Sequence, residues 1–173
     1  MKRSTFILGL TAVTLSPLWA QKRYQEWAGE WTVPSQRSLA YRLISYGEKK
    51  CRRGHTLAVL CWCESSLGLR VDHNEDSYGP FGISLATAAL YFPKLSASQL
   101  IAMLEDNLEE ASDLAMKIFE DCYDRAKQLH LTSWRQRMCA GAMMYNRGWN
   151  EERWVESYGD KFWRRLTYLM EIT

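Results

Sequence analysis

Apolar residues return at three- and four-residue steps along most of this 173-residue chain, and no stretch alternates apolar with polar long enough to build a sheet of any size. That period belongs to helices packed by one face. One helix is expected from Ser38 to about Tyr46, with Leu39, Leu43 and Ile44 together. A second runs from about His55 to Ser66, where Leu57, Leu60, Cys61 and Glu64 recur at i, i+3, i+4 and i+7 and leave Glu64 at the end of an apolar stripe. A short helix is expected over Leu85–Leu90, and Ser96 with Gln99 forms a capping box for the next. Asn107 and Glu110 open the longest helix, striped by Leu108, Ala111, Ala115, Ile118, Phe119, Cys122 and Leu129. Ser133 with Gln136 caps another reaching about Tyr145, and Asp160 is read as the cap of the last, which carries Phe162, Trp163, Leu166 and Met170. The fold class that follows is mainly α, with six or seven helices around one core.

The first twenty residues have the order of an export signal: Lys2-Arg3, an apolar run from Phe6 to Leu15, and a close on Ala20. The run is shorter than the roughly 20 residues a membrane-spanning helix needs. The expected division is therefore a signal over 1–20, an irregular lead-in over 21–36 containing Trp27, Trp31 and Pro34, and one domain over 37–173. Residues 1–20 hold two of the basic side chains and no acid, so the formal charge of +2 falls to zero without them. Zero net charge argues against nucleic acid as a partner. The basic cluster Lys49, Lys50, Arg52 and Arg53 is left as a solvated turn or an electrostatic contact with an anionic envelope surface.

Five cysteines cannot all pair, and an exported protein meets an oxidising compartment. Cys122 and Cys139, on successive helices folded back by a short turn, are the expected bridge. Cys61-Trp62-Cys63 lacks metal-ligand spacing, and His55, His73 and His130 share no helix face, so no metal site is expected. Asp72, Asn74 and Asp76 start like a calcium loop, but Ser77 and Ile83 stand where glycine and glutamate are needed.

Glu64 is the acid with the most informative setting, because a carboxyl placed against apolar neighbours stays protonated near neutral pH and can give its proton to a leaving oxygen. Three separated segments then fall in one order. Ala58 to Leu67 holds Glu64-Ser65-Ser66 at a helix end, Gly79-Pro80-Phe81-Gly82-Ile83 is a glycine-rich turn, and Ala142-Met143-Met144-Tyr145-Asn146-Arg147-Gly148 ends a later helix. Together with Glu105-Asp106-Asn107-Leu108 they resemble, over about residues 55–165, the motif series of lytic transglycosylases of the SLT and goose-lysozyme-like type. The glutamine that usually follows that family's Gly-Leu-Met is absent, since Ile83-Ser84-Leu85 follows Gly82.

The resemblance implies a lysozyme-like single domain with a substrate cleft. It implies cleavage of the β-1,4 bond between N-acetylmuramic acid and N-acetylglucosamine in peptidoglycan, with a 1,6-anhydro product and no cofactor. Glu64 would be the single acid and then base. Tyr145 would orient it or the sugar, Asn146 would hydrogen-bond the strand, and Ser65, Ser66, Tyr78, Gly79, Phe81 and Gly82 would line the binding site. Trp62 and Trp149 stand beside the motifs as further candidates for stacking on sugar rings. The implied setting is a periplasmic monomer acting on glycan strands, alone or beside a secretion, conjugation or phage apparatus. Two alternatives stand beside it: a hydrolase, with Asp76 as the best candidate for the second carboxylate, and a catalytically weak glycan-gripping component, which the missing glutamine favours.

Overall fold

A computed structural model of the chain describes residues 34–51, 53–68, 76–148 and 156–173. The molecule is mainly α: these residues form helices α1 (Pro34–Cys51), α2 (Gly54–Ser65), α3 (Leu85–Tyr91), α4 (Ala97–Asp106), α5 (Leu108–Gln128), α6 (Trp134–Arg147) and α7 (Glu156–Ile172). A two-stranded antiparallel hairpin, β1 (Ser77–Tyr78) and β2 (Ile83–Ser84), pairs Ser77 with Ser84 and Tyr78 with Ile83. All of these elements fall within one compact unit, Val33–Thr173.

Helix α2 is the axis of the fold. Nearly every residue from Gly54 to Trp62 is buried, and α1, α5 and α7 all pack on it. A helix surrounded in this way is apolar on all sides, so the single stripe expected from Leu57, Leu60 and Cys61 understates its burial. Helix α5 carries the other half of the core. Ala111, Ala115, Phe119 and Ala126 are fully buried, and Phe119 stacks at 5.7 Å on Phe162 of α7. The helix starts follow the expected chemistry: Ser96 and Ser133 each accept from a backbone N–H three residues on, and Gln99 and Gln136 reach back to the cap. Asn107 caps α5 by accepting from the Glu110 N–H.

Three sequence expectations change. Helix α1 begins at Pro34 and extends to Cys51, so residues 34–36 are helical and not lead-in. A proline in a segment without a period suggests irregular chain, yet its fixed φ and missing N–H suit the first turn of a helix. The rest of the lead-in and the signal segment, residues 1–33, lie outside the described residues. Helix α7 contains Asp160 in its interior, where it bonds Arg135 at 3.0 Å instead of capping, and Met170 is exposed while Leu169 takes the core position. The Cys122–Cys139 bridge is not formed: neither residue is in a disulfide, and neither are Cys61 and Cys63. Helices α5 and α6 do lie side by side, but Cys122 borders the cavity described below while Cys139 turns toward α7. A Cβ added at Gly159 would stand 3.1 Å from that of Cys139.

Candidate functional site

The site is built where α2 stops. Ser65 closes the helix from within: its hydroxyl donates to the Cys61 carbonyl at 3.0 Å and accepts from the Gly68 N–H at 2.9 Å. Ser66 and Leu67 then both take left-handed backbone angles, φ 52° and 58°, which cost non-glycine residues energy and persist only where neighbours hold them. Gln36 of α1, itself buried, is one such neighbour, since its Nε2 donates to the Ser66 carbonyl at 2.8 Å. This sharp termination leaves Glu64 on the last turn of α2.

The Glu64 side chain is enclosed from three directions. Tyr158 of α7 donates its hydroxyl to Oε1, and Asn146 of α6 donates Nδ2 to the same oxygen at 3.4 Å. The third wall is the hairpin turn. Gly82 has φ +60°, and a Cβ there would approach Oε2 to 3.0 Å, so glycine both permits the turn and leaves room for the carboxyl. Burial strips water from the carboxylate and raises the Glu64 pKa above the ordinary glutamate range. The bonds from Tyr158 and Asn146 and the positive charges of Lys161 and Arg147 offset only part of that rise.

The turn Gly79-Pro80-Phe81-Gly82 is pinned on its other sides. The Gly82 N–H bonds the Gly79 carbonyl at 3.2 Å, and Gly79, at φ +70°, sits so close to α4 that a Cβ would come within 2.2 Å of the Leu104 carbonyl. Tyr145 of α6 donates its hydroxyl to the Phe81 carbonyl at 3.0 Å. Tyr145, expected to orient the acid or the sugar, therefore bonds the turn, and the tyrosine that touches Glu64 is Tyr158. Burial and the nearby Glu64 charge push both phenols well above their ordinary pKa, so both stay protonated.

An open cavity of about 650 Å³ borders this cluster. Gly82, Ile83, Ser84, Tyr145, Asn146 and Arg147 line it, together with Tyr91, Ile118 and Cys122. Glu64 does not itself line the cavity; its carboxyl lies behind Asn146 and Gly82, which do. The Tyr91 hydroxyl donates to Asp121 at 2.7 Å.

The predicted residues thus divide. Glu64, Gly82, Tyr145 and Asn146 come together, with Ser77 and the hairpin at the rim. Ser65 is buried and its hydroxyl is engaged within the chain, and the Phe81 ring is fully buried, so neither side chain is presented as the binding expectation requires. Ser66 contributes its carbonyl to Gln36, Tyr78 is half-buried in β1, and Gly79 backs onto Leu104. Trp62 is a core residue: Arg165 lies 4.5 Å above its ring and bonds its carbonyl at 2.7 Å. Trp149, Asp72 and Asn74 fall outside the described residues, while Asp76 is described and exposed.

Sequence reasoning missed Tyr158 and Gln36. Tyr158, Phe162, Arg165, Leu166 and Leu169 stand at i, i+4, i+7, i+8 and i+11, so extending the stripe of α7 backwards past Asp160 finds the tyrosine. Gln36 gave no signal, being polar and placed in the assumed lead-in.

Chemically, a carboxyl whose pKa is raised by burial can deliver a proton to a group in the neighbouring cavity and afterwards accept one. The neighbouring thiols cannot compete as nucleophiles, because burial pushes Cys61 up to about 12 and Cys63 up to about 11 and keeps both protonated. Among the described residues no group of three or more His, Cys, Asp or Glu side chains is assembled that could hold a metal ion. Comparison of the chain with family models, curated proteins and solved structures finds no match in any of the three.

Proposed function

We propose that the protein is a peptidoglycan lytic transglycosylase of lysozyme-like fold, with the cavity beside Glu64 as its substrate cleft. The observation that carries the reading is the setting of Glu64: a carboxyl whose pKa burial raises, gripped by Tyr158 and Asn146, and placed behind the cavity wall. The remaining groups that act on it are cations, Lys161 and Arg147, which will stabilise the carboxylate once its proton has left.

In the proposed reaction Glu64 protonates the oxygen that leaves the anomeric carbon of N-acetylmuramic acid, as the sugar takes on oxocarbenium character. The C6 hydroxyl of the same sugar then attacks that carbon and gives its proton to the Glu64 carboxylate, which restores the acid and forms the 1,6-anhydro ring. Bonds and protons balance without water, cofactor or a second carboxylate. Asn146 and the backbone of the hairpin turn would hold the strand, and Tyr158 holds the acid. The substrate lies outside the cytoplasm, where the export signal expected over residues 1–20 would deliver the chain.

The test is digestion of purified peptidoglycan followed by mass analysis of the released fragments. Anhydro ends are expected. Reducing ends would make the protein a hydrolase, and no release at all would make it a binding component.

A further inference from the structure

A second groove, of about 410 Å³, lies between α1 and the first turns of α5. Tyr41, Arg42, Ser45 and Lys49 line one wall, and Glu109 and Ser112 the other. Arg42, Ser45 and Lys49 stand at i, i+3 and i+7 on α1, so they form one stripe with the two cations about 10 Å apart along the helix. The basic cluster seen in the sequence is here divided by use. Lys50 pairs with Asp113 at 3.7 Å, Arg53 lies over the Tyr123 ring at 5.0 Å, and Arg52 is outside the described residues. Arg42 and Lys49 have no ion-pair partner among the described residues. Ser112, in the second turn of α5, lines the same groove, buried to 1% exposure and with a hydroxyl that has no hydrogen-bond partner among the described residues. A buried polar atom without a partner is uncommon, and in a groove it fits a ligand that supplies the missing bond. Tyr41, 53% exposed at the rim, adds a flat apolar face.

We infer that this groove is an accessory binding site for the carboxylate-bearing stem peptides of the glycan polymer, separate from the cavity beside Glu64. The inference rests on the proposed substrate class. Glu109 limits the groove to a single net positive charge, which suits isolated carboxylates on an otherwise neutral strand better than a dense array of phosphates. Its placement also suits a polymer. The groove uses the start of α5, Leu108 to Ser112, whereas the cavity uses Ile118 and Cys122 farther along the same helix, so one long strand can engage both.

The test measures binding of the full chain to insoluble peptidoglycan, with Glu64→Gln present throughout to prevent digestion. Arg42→Ala with Lys49→Ala should weaken binding about three- to tenfold, and the difference should shrink in high salt. Lys94→Ala with Arg164→Ala, which removes the same charge from other exposed positions, should have no such effect. Ser112→Ala should also weaken binding while leaving thermal stability unchanged or higher, because it deletes an unsatisfied hydroxyl. Amidating the polymer's carboxyl groups should abolish the difference between the parent and the Arg42/Lys49 variant. Equal binding by both on untreated polymer overturns the inference. So does a loss that appears equally on vesicles containing phosphatidylglycerol, which would make the groove a membrane contact. In a Glu64 background, Arg42→Ala with Lys49→Ala should leave cleavage of short soluble fragments unchanged. If the parent cleaves nothing but the groove variants still lose binding, the proposed activity fails and the groove stands.

Discussion

The end of α2 and the starts of α4 and α6 are all polar helix termini, and they are held in opposite ways. At Ser96 and Ser133 the bonds are local and reciprocal, made with Gln99 and Gln136 three residues away. At Glu64 the partners are remote in sequence: Gln36 reaches the following turn from 30 residues away, Asn146 from 82 and Tyr158 from 94. The local termini are relaxed, whereas the remote one tolerates two left-handed non-glycine residues and a buried carboxyl. The difference separates what folds the chain from what it was folded to hold. Breaking a local cap should cost stability alone, and breaking a remote contact should cost chemistry first.

The largest effect is expected from Glu64→Gln, which keeps the side chain's shape but has no proton to give. Cleavage should fall about a hundred- to ten-thousand-fold, read from fragment release. Near-normal release would remove the central assignment. The same variant should reverse the usual sign for stability. At low pH the carboxyl is protonated in folded and unfolded chains alike. As pH rises past the ordinary glutamate value the unfolded chain ionises while Glu64 remains protonated, so the native state binds more protons and stability falls. Glu64→Gln removes that loss. Its melting temperature should exceed the parent's at neutral pH, and the gain should vanish toward acid pH; a gain independent of pH would show that ionisation is not its source.

Tyr158→Phe comes next. A hydrogen bond to an ionisable group is worth about 1.5 to 3 kcal/mol, so a roughly ten- to hundredfold fall in kcat is expected. A second reading separates this from general damage. The Tyr158 bond holds the Glu64 pKa down, so its loss should raise that pKa further and move the basic limb of the pH–activity profile to higher pH. A fall in kcat with an unmoved limb would make Tyr158 a packing residue. Tyr145→Phe, which frees the Phe81 carbonyl and not Glu64, should leave the limb in place.

These contacts also mark where the sequence was legible. The helix starts could be read because their signals lie within four residues, and the core of α5 because its period is long and uninterrupted. Glu64 stood out through its apolar neighbours on the same helix. Tyr158 and Gln36 did not, since each acts across an interface between elements, and no local pattern states which helices meet. Asp160 misled for a related reason: an aspartate before an apolar run resembles a cap, but here it lies inside α7 and its partner is Arg135 on α6. The cysteines misled because adjacent helices guarantee proximity of axes and not of side chains.

Gln36→Leu tests a smaller, indirect effect. The variant removes the bond to the Ser66 carbonyl and also a buried Oε1 that has no partner among the described residues, so the two stability terms oppose each other and the net change should be under about 1 kcal/mol. The turn after Glu64 is then held less firmly, and a few-fold loss in kcat with little change in KM is expected. Unchanged kcat would show that Ser66 and Leu67 are held adequately by the bonds of α2's own end, from the Ser66 N–H to Trp62 and from the Leu67 N–H to Cys61.

The smallest effect should come from the local side of the comparison. Ser133→Ala removes the side chain that caps α6 and leaves the Gln136 N–H without its acceptor, a change that typically costs about 1 kcal/mol. In a domain of this size that lowers the melting temperature by roughly 2 to 4 °C. Activity should not move, even though α6 also carries Tyr145 and Asn146, because those residues lie at its other end and are fixed there by Phe81 and Glu64. Helix ends fray over about one turn when a cap is lost, and about two further turns then remain before Tyr145 and Asn146. Measuring kcat well below the melting temperature checks this directly. A fall in kcat under those conditions would mean that the start of α6 sets the position of Asn146, and the division between local termini that fold and remote contacts that act would not hold for this helix.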